Sequence, residues 1–183
     1  MAILSEIVEE ASPSSSPPTN DRIDEYDVFL SFRGADTRLG FTNHLHTALK
    51  EASLVTFYDD EEIQTGESLK PEIENAIIAS RASIVVLSED YASSTWCLDE
   101  LVLILKQKRR ESKQIVIPIF YHVEPADIRK QQGSFGKAMK KHRLEMEAKT
   151  NVEEKSLWAE KIEIWREALI EVSNLKGLNA RGR

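Results

Sequence analysis

Ser83-Ile84-Val85-Val86-Leu87-Ser88, SIVVLS, is the stretch on which the fold turns. Its four central residues are all apolar, with none of the alternation of a strand that faces water on one side. A strand covered on both faces has this composition, and such strands belong to parallel sheets flanked by helices. Tyr26–Phe32 (YDVFLSF), Leu54–Tyr58 and Gln114–Tyr121 (QIVIPIFY) read as further strands. Pro118 places the last of these nearer a sheet edge than the centre. Helical patterns separate them. One is capped by Asp36 and runs to about Ala52, with Phe41, Leu45, Ala48 and Leu49 on its inner face. A second, opened by Ser68 and Pro71, carries Leu69, Ile73, Ile77 and Ile78. A third follows the capping types Ser93, Ser94 and Thr95 and runs to about Glu111. A turn at Pro125, a helix around Phe135–Glu147, a Trp-bearing helix around Glu154–Val172 and a short strand near Leu175–Asn179 complete the series. Alternation at this spacing implies right-handed crossovers, hence an α/β fold with a doubly wound parallel sheet and helices on both faces. Ligands of such sheets collect beyond the carboxyl ends of the strands, where strand order reverses. That rule selects Arg33–Arg38, Asp59–Gly66, Ser88–Glu100 and His122–Lys130.

The 183 residues include 24 Lys+Arg against 31 Asp+Glu, a net charge of −7. That balance argues against nonspecific duplex binding as the main task, which needs cationic excess facing phosphates. The longest strongly apolar runs, such as Leu101–Leu105, fall far short of a membrane helix, and Met1–Ala11 has no basic residue, unlike a signal peptide. A single cysteine, Cys97, excludes an internal disulfide and suits a reducing compartment. With four scattered histidines it leaves no zinc-type cluster, so no metal is expected. These features predict an intracellular domain; the expected location is the cytoplasm, with the nucleus as a second one. Residues 1–24 read as a flexible leader because Ser12–Pro18 (SPSSSPP) cannot bury enough apolar surface to offset ordering. Within it Ile3, Leu4, Ile7 and Val8 have helical spacing, and read either as a frayed amphipathic turn or as a docking peptide. The domain is expected over 25–179, with a tail at 180–183.

Tyr91–Leu101 (YASSTWCLDEL) is the most informative functional segment. On a helix starting near Thr95, the neighbours of Glu100 one turn away are Trp96, Cys97, Leu103 and Ile104, all apolar. Asp99 falls on the side of Lys106 and Arg110 and reads as solvated, while Leu98, Leu101, Val102 and Leu105 form the core stripe. A carboxylate in an apolar collar is costly when ionised unless a cation or donors compensate it. Glu100 is therefore either a partly exposed acid with a structural salt bridge or a site carboxylate facing a cationic ligand. Ser31–Arg38 (SFRGADTR) joins a strand to a helix. Gly34 allows close backbone approach, the helix start offers N–H groups, and Arg33 and Arg38 could contact a pyrophosphate. An ordinary strand-to-helix turn explains the segment equally well, since it is neither a dinucleotide fingerprint nor a phosphate loop of the Walker type. Asp59–Gly66 (DDEEIQTG) is either a solvated connection or, through Ile63, a partner contact. Arg129, Lys130, Lys137, Lys140, Lys141 and Arg143 form a basic cluster, read as a solvated face or as a complement to the acidic loop of another copy. Nucleic acid is not expected as its main partner, because stacking aromatics are missing. His44 reads as a surface or interface residue.

YDVFLSFRGADTRLGFTNHLHTAL, TFYDDEEIQTGESL, SIVVLSEDYASSTWCLDELVLI and IPIFYHVEPADIRKQQGSFGKAM together resemble the successive motifs of a plant TIR domain, as found at the front of nucleotide-binding, leucine-rich-repeat immune receptors. The resemblance runs from about Tyr26 to Gly177. It implies a five-stranded parallel sheet of flavodoxin-like order, self-association with other TIR domains, and cleavage of NAD or NADP, as substrate rather than cofactor, at the nicotinamide–ribose bond. The essential glutamate of the family falls on Glu100. Arg33, Gly34, Ala35, Asp36, Thr37, Arg38, Gly66, Ser94 and Trp96 are the implied substrate contacts, and Cys97 matches a cysteine associated with a second activity on nucleic acid. The self-association helix of the family usually carries Ser-His; here the pair is Asn43-His44, with Lys140 a further contact candidate. One carboxylate suffices for this chemistry. Nicotinamide leaves NAD as a neutral molecule and needs no general acid, so the remaining task is to stabilise an oxocarbenium-like ribose. The alternative is a non-catalytic TIR–TIR interaction module. A phospho-receiver on the same fold is excluded, since Ser31-Phe32-Arg33 and Ser88-Glu89-Asp90 stand where its acidic cluster and acceptor aspartate would be.

Overall fold

The computed structural model describes residues 6–9, 24–37, 40–58 and 71–181. The elements in chain order are β1 (Tyr26–Ser31), α1 (Gly34–Thr37), α2 (Phe41–Glu51), β2 (Thr56–Tyr58), α3 (Pro71–Ile78), β3 (Ser80–Leu87), a 3₁₀ turn (Tyr91–Ser93), α4 (Thr95–Arg110), β4 (Ile115–Tyr121), α5 (Pro125–Lys130), α6 (Gly133–Glu147), α7 (Val152–Ser173) and β5 (Leu178–Ala180). The five strands form one sheet in the order β2-β1-β3-β4-β5, and every pairing is parallel. This is the flavodoxin-like doubly wound sheet. The chain leaves β1 toward β2 and then returns across it to β3, so the order reverses between β1 and β3.

The uninterrupted apolar strands are explained by two cores. Alternate side chains Phe29, Val85, Leu87, Val116 and Phe120 meet α3, α4, α6 and α7 on one face, around the buried Trp165. Val28, Leu30, Ile84, Val86, Ile117 and Ile119 meet Leu45 and Leu49 of α2 on the other. Pro118 pairs with Val85 of β3 but lies before the run of β4 joined to β5, which begins at Ile119↔Leu178, so its missing N–H breaks no ladder there.

Several expectations are corrected. The first helix is not one unit capped by Asp36: α1 ends at Thr37 and α2 starts after Gly40, which makes no side-chain cap bond. The Asp36 carboxylate cannot cap because Arg33 and Ser88 occupy it. The turn at Pro125 is the helix α5, with proline at its start, where the absent N–H costs nothing. Ile78 is 42% exposed at the end of α3 rather than on its inner face. The last strand is shifted, with Leu175 outside it. Within the leader, residues 6–9 form a helical turn whose Ile7 is fully buried, so this part is docked rather than frayed.

Asp99 is also corrected. Its carboxylate is not simply solvated: it accepts the indole N–H of Trp165 at 2.8 Å and the Lys161 ammonium at 3.0 Å, pinning α7 across α4. The Lys161 pair is half exposed and contributes little. The indole of Trp165 is 1% exposed and has no water to turn to. Asp99→Ala should therefore destabilise the domain by about 1–3 kcal/mol, the cost of an orphaned buried donor, read as a lower urea midpoint at unchanged slope.

Candidate active site

Strand order reverses between β1 and β3, and the carboxyl ends of these two strands are where a doubly wound sheet receives its ligands; the start of α4 packs against this place. Ser94 holds the start of that helix as its cap, its hydroxyl accepting the Cys97 N–H at 3.2 Å. Helical geometry then turns Glu100 toward β1 while Asp99, one residue earlier, faces α7. Glu100 is 3% exposed. The hydroxyl of Ser31, the last residue of β1, donates to its Oε1 at 3.0 Å. The Tyr91 hydroxyl lies 2.9 Å from Ser31 Oγ and donates to the Cys97 carbonyl oxygen at 3.0 Å. The Cys97 thiol points back to the Phe32 carbonyl at 3.5 Å. A polar chain thus runs through apolar surroundings from the end of β1 to the first turn of α4.

Electrostatics tie the same groups together. Burial pushes the Cys97 thiol far above its ordinary range, and the nearby Glu100 adds to the rise; Ser94 and Arg33 act in the opposite sense. Burial likewise raises the Tyr91 phenol well above its usual value, with Cys97 and Glu100 contributing and Ser31 opposing. Cys97 is accordingly a protonated thiol at neutral pH rather than a ready nucleophile.

Arg33 forms an ion pair with Asp36, and its guanidinium also lies 3.9 Å from Asp90. Asp36 Oδ2 in turn accepts the Ser88 hydroxyl at 2.7 Å. This web links the loop after β1 to the loop after β3. Gly34 is half-buried and Ala35 exposed in α1, while Thr37 is buried, donating to the Arg33 carbonyl and receiving the Thr42 hydroxyl at 2.5 Å. Trp96 is half-buried on the first turn of α4.

Of the residues singled out in the sequence, the structure gathers Arg33, Asp36, Ser94, Cys97 and Glu100 at the carboxyl ends of β1 and β3. Arg38, Gly66 and the whole Asp59–Gly66 loop lie outside the described residues. Asn43 and His44 are exposed on α2, and Lys140 is exposed on α6, which packs against the opposite face of the sheet. These surfaces are thus separate from each other. His46 is stacked on Tyr58 at 4.4 Å between ring centroids.

Sequence reasoning missed Ser31 and Tyr91 as partners of the carboxylate, and His142. His142 Nε2 donates to the Ala92 carbonyl at 2.8 Å, bracing the 3₁₀ turn that carries Tyr91, and its ring packs on Trp165. The signal available for Ser31 was a small polar residue inside an otherwise apolar strand. A histidine among the basic residues of α6 carried no such mark.

The TIR domain model matches residues 25–181. The chain is 49% identical over 167 residues to Disease resistance protein RPV1 of Vitis rotundifolia, which covers 91% of this chain and 11% of that protein. It is also 49% identical over 152 residues to TMV resistance protein N of Nicotiana glutinosa, covering 83% and 12%. The chain therefore spans about a tenth of the length of the curated relatives it matches. Among solved structures, the TIR domains of the activated Roq1 resistosome directly recognizing the pathogen effector XopQ superpose with a TM-score of 0.72 at 44% identity, over 85% of this chain and 87% of that one.

The buried thiol yields a test. A folded chain that retains a proton which the unfolded chain gives up is most stable below the unfolded pKa, about 8.5 for cysteine, and loses stability as pH rises beyond it. Between pH 8.5 and 9.5, before tyrosines ionise, unfolding free energy should fall with a slope of up to about 1.4 kcal/mol per pH unit. Cys97→Ala should flatten that slope, and iodoacetamide at pH 8 should label Cys97 only after denaturation.

Proposed function

This chain belongs to the TIR domain family, and on that premise we propose that it hydrolyses NAD or NADP at the nicotinamide–ribose bond, in an assembly of several copies, to make nucleotide signals for plant immune defence. The observation that carries this reading is the Glu100 carboxylate, buried against the carboxyl end of β1 and held by Ser31. In the reaction the bond from ribose C1′ to the pyridinium nitrogen breaks, and its electron pair leaves with neutral nicotinamide. Water adds to C1′ and releases a proton. The carboxylate stabilises the positive charge that develops on the ribose, or accepts hydrogen bonds from the ribose hydroxyls, and its dry surroundings strengthen both effects. Arg33 attends the diphosphate once it exchanges its contact with Asp36 for the ligand, together with Arg38 and the backbone of Gly34 and Ala35. Trp96 and Ser94 line the mouth near the start of α4, and Gly66 is a further substrate contact.

A carboxyl only 3% exposed does not meet substrate unaided. Association of copies through Asn43 and His44 on α2 and Lys140 on α6 supplies the binding energy that opens and completes the pocket. A purely adaptor role would use the same exposed surfaces without the carboxylate, so activity separates the two.

Nicotinamide release from NAD should rise more than in proportion to protein concentration in the wild-type chain, fall about 10²–10³-fold or more in Glu100→Ala, and lose its concentration dependence in His44→Ala. No release by the wild type under crowded conditions, or equal release by Glu100→Ala, overturns the enzymatic reading.

A further inference from the structure

Three short contacts join four groups at the end of β1. Ser31 Oγ lies 3.0 Å from Glu100 Oε1, the Tyr91 hydroxyl lies 2.9 Å from Ser31 Oγ, and the same hydroxyl lies 3.0 Å from the Cys97 carbonyl oxygen. Ser31 and Tyr91 are fully buried, and Glu100 is nearly so. A hydroxyl carries one proton, and a carbonyl or an ionised carboxylate carries none. With Glu100 charged, these three contacts therefore share two protons. The Ser31 proton belongs to the carboxylate, its strongest acceptor. The Tyr91 proton has two acceptors at almost equal distance, Ser31 Oγ and the Cys97 carbonyl. The choice matters to Glu100, because a hydrogen bond accepted by Ser31 polarises its hydroxyl and strengthens the bond that hydroxyl donates. With Glu100 protonated, three protons serve three contacts. The chain then runs the other way, from the acid to Ser31, to Tyr91, to the Cys97 carbonyl.

We propose that Tyr91 is a positioning residue for Glu100: as the carboxyl ionises, the Tyr91 proton turns from the Cys97 carbonyl to Ser31 and secures the bond that Ser31 donates to the charge. The turn costs little at Cys97, whose carbonyl lies inside α4 and also accepts from the ladder of that helix. Tyr91 remains a donor throughout, since burial raises its phenol well above the usual value and keeps the proton in place at neutral pH. Its oxygen is also held still. The 3₁₀ turn that carries it follows β3, and the carbonyl of its neighbour Ala92 accepts from His142 Nε2 at 2.8 Å. A phenylalanine would fill the same core volume, so what the tyrosine adds is one hydroxyl and its proton. Tyr91 acts through Ser31 and touches no substrate. Its bearing on turnover rests on the catalytic reading of Glu100, whereas the sharing of protons does not.

Two readouts keep the parts separate. In the ligand-free chain carrying carbon-13 at tyrosine Cζ, the Tyr91 resonance, assigned by its loss in Tyr91→Phe, should shift in one step as pH is varied over about 4 to 8. The step should vanish in Glu100→Gln and in Ser31→Ala. A Tyr91 resonance that stays still in the wild type, or that steps equally in all three chains, overturns the proposal whether or not the domain turns over NAD. In nicotinamide release, Tyr91→Phe should lower kcat about 2- to 10-fold, the loss expected for one hydrogen bond, with KM within about twofold of wild type. The acid limb of its pH profile should move to higher pH, because the charged form has lost support. Ser31→Ala should behave in the same way, and adding Tyr91→Phe to it should cost nothing further, since Tyr91 acts through Ser31. Losses that multiply, or an unmoved acid limb beside a merely lower melting temperature, overturn the positioning role. No release by the wild type defeats the catalytic reading alone, and the labelled-tyrosine titration then decides the proposal.

Discussion

A carboxylate of α4 buried against the end of β1 is the constraint around which this domain is arranged. Burying an ionised acid costs several kcal/mol unless donors replace the lost water, and Glu100 occupies such a place with the Ser31 hydroxyl directed at it. Because β1 and β3 are apolar on both faces, the polar groups near their ends must find partners within the protein. They do so in one connected chain through Ser31, Tyr91 and Cys97. The same contacts fix the first turns of α4 against β1. The acid that is costly to bury is also the reason the site has a defined shape.

Support reaches the site from both sides. Asp99, adjacent to Glu100 but turned away from it, binds Trp165 and so ties α4 to the outer helix α7. His142 reaches across from α6 to brace the turn holding Tyr91. On the solvent side, Arg33, Asp36 and Ser88 join the two loops that a ligand would have to enter between. A buried interior and an ion-paired mouth suit the proposed site, since ion pairs at a partly exposed mouth exchange partners at little cost.

Much of this was legible in the residues. Runs such as SIVVLS and QIVIPIFY revealed a sheet covered on both faces because continuous branched apolar sequence has few other uses. The apolar collar of Glu100 was visible from helical spacing alone. Where the reading failed, a distant partner decided the outcome. Asp36 has the chemistry of a helix cap, but Arg33 and Ser88 claim it. Asp99 has the surroundings of a surface acid, but an indole from a helix 66 residues away requires it. Ser31 and His142 have roles that exist only through contacts with residues far along the chain, and no local pattern encodes those. The docked Ile7 belongs to the same class: a leader of disordered composition conceals one side chain that the sheet face takes up.

The claim at the centre is that Glu100 acts on the developing ribosyl cation rather than on NAD at rest. The most direct measurement pairs calorimetric binding of NAD with single-turnover nicotinamide release for the wild-type chain and Glu100→Gln, which keeps the shape of the side chain and removes its charge. The account requires binding within about tenfold of wild type together with a rate lower by two orders of magnitude or more. Equal losses in binding and rate, or an unchanged rate, would contradict it.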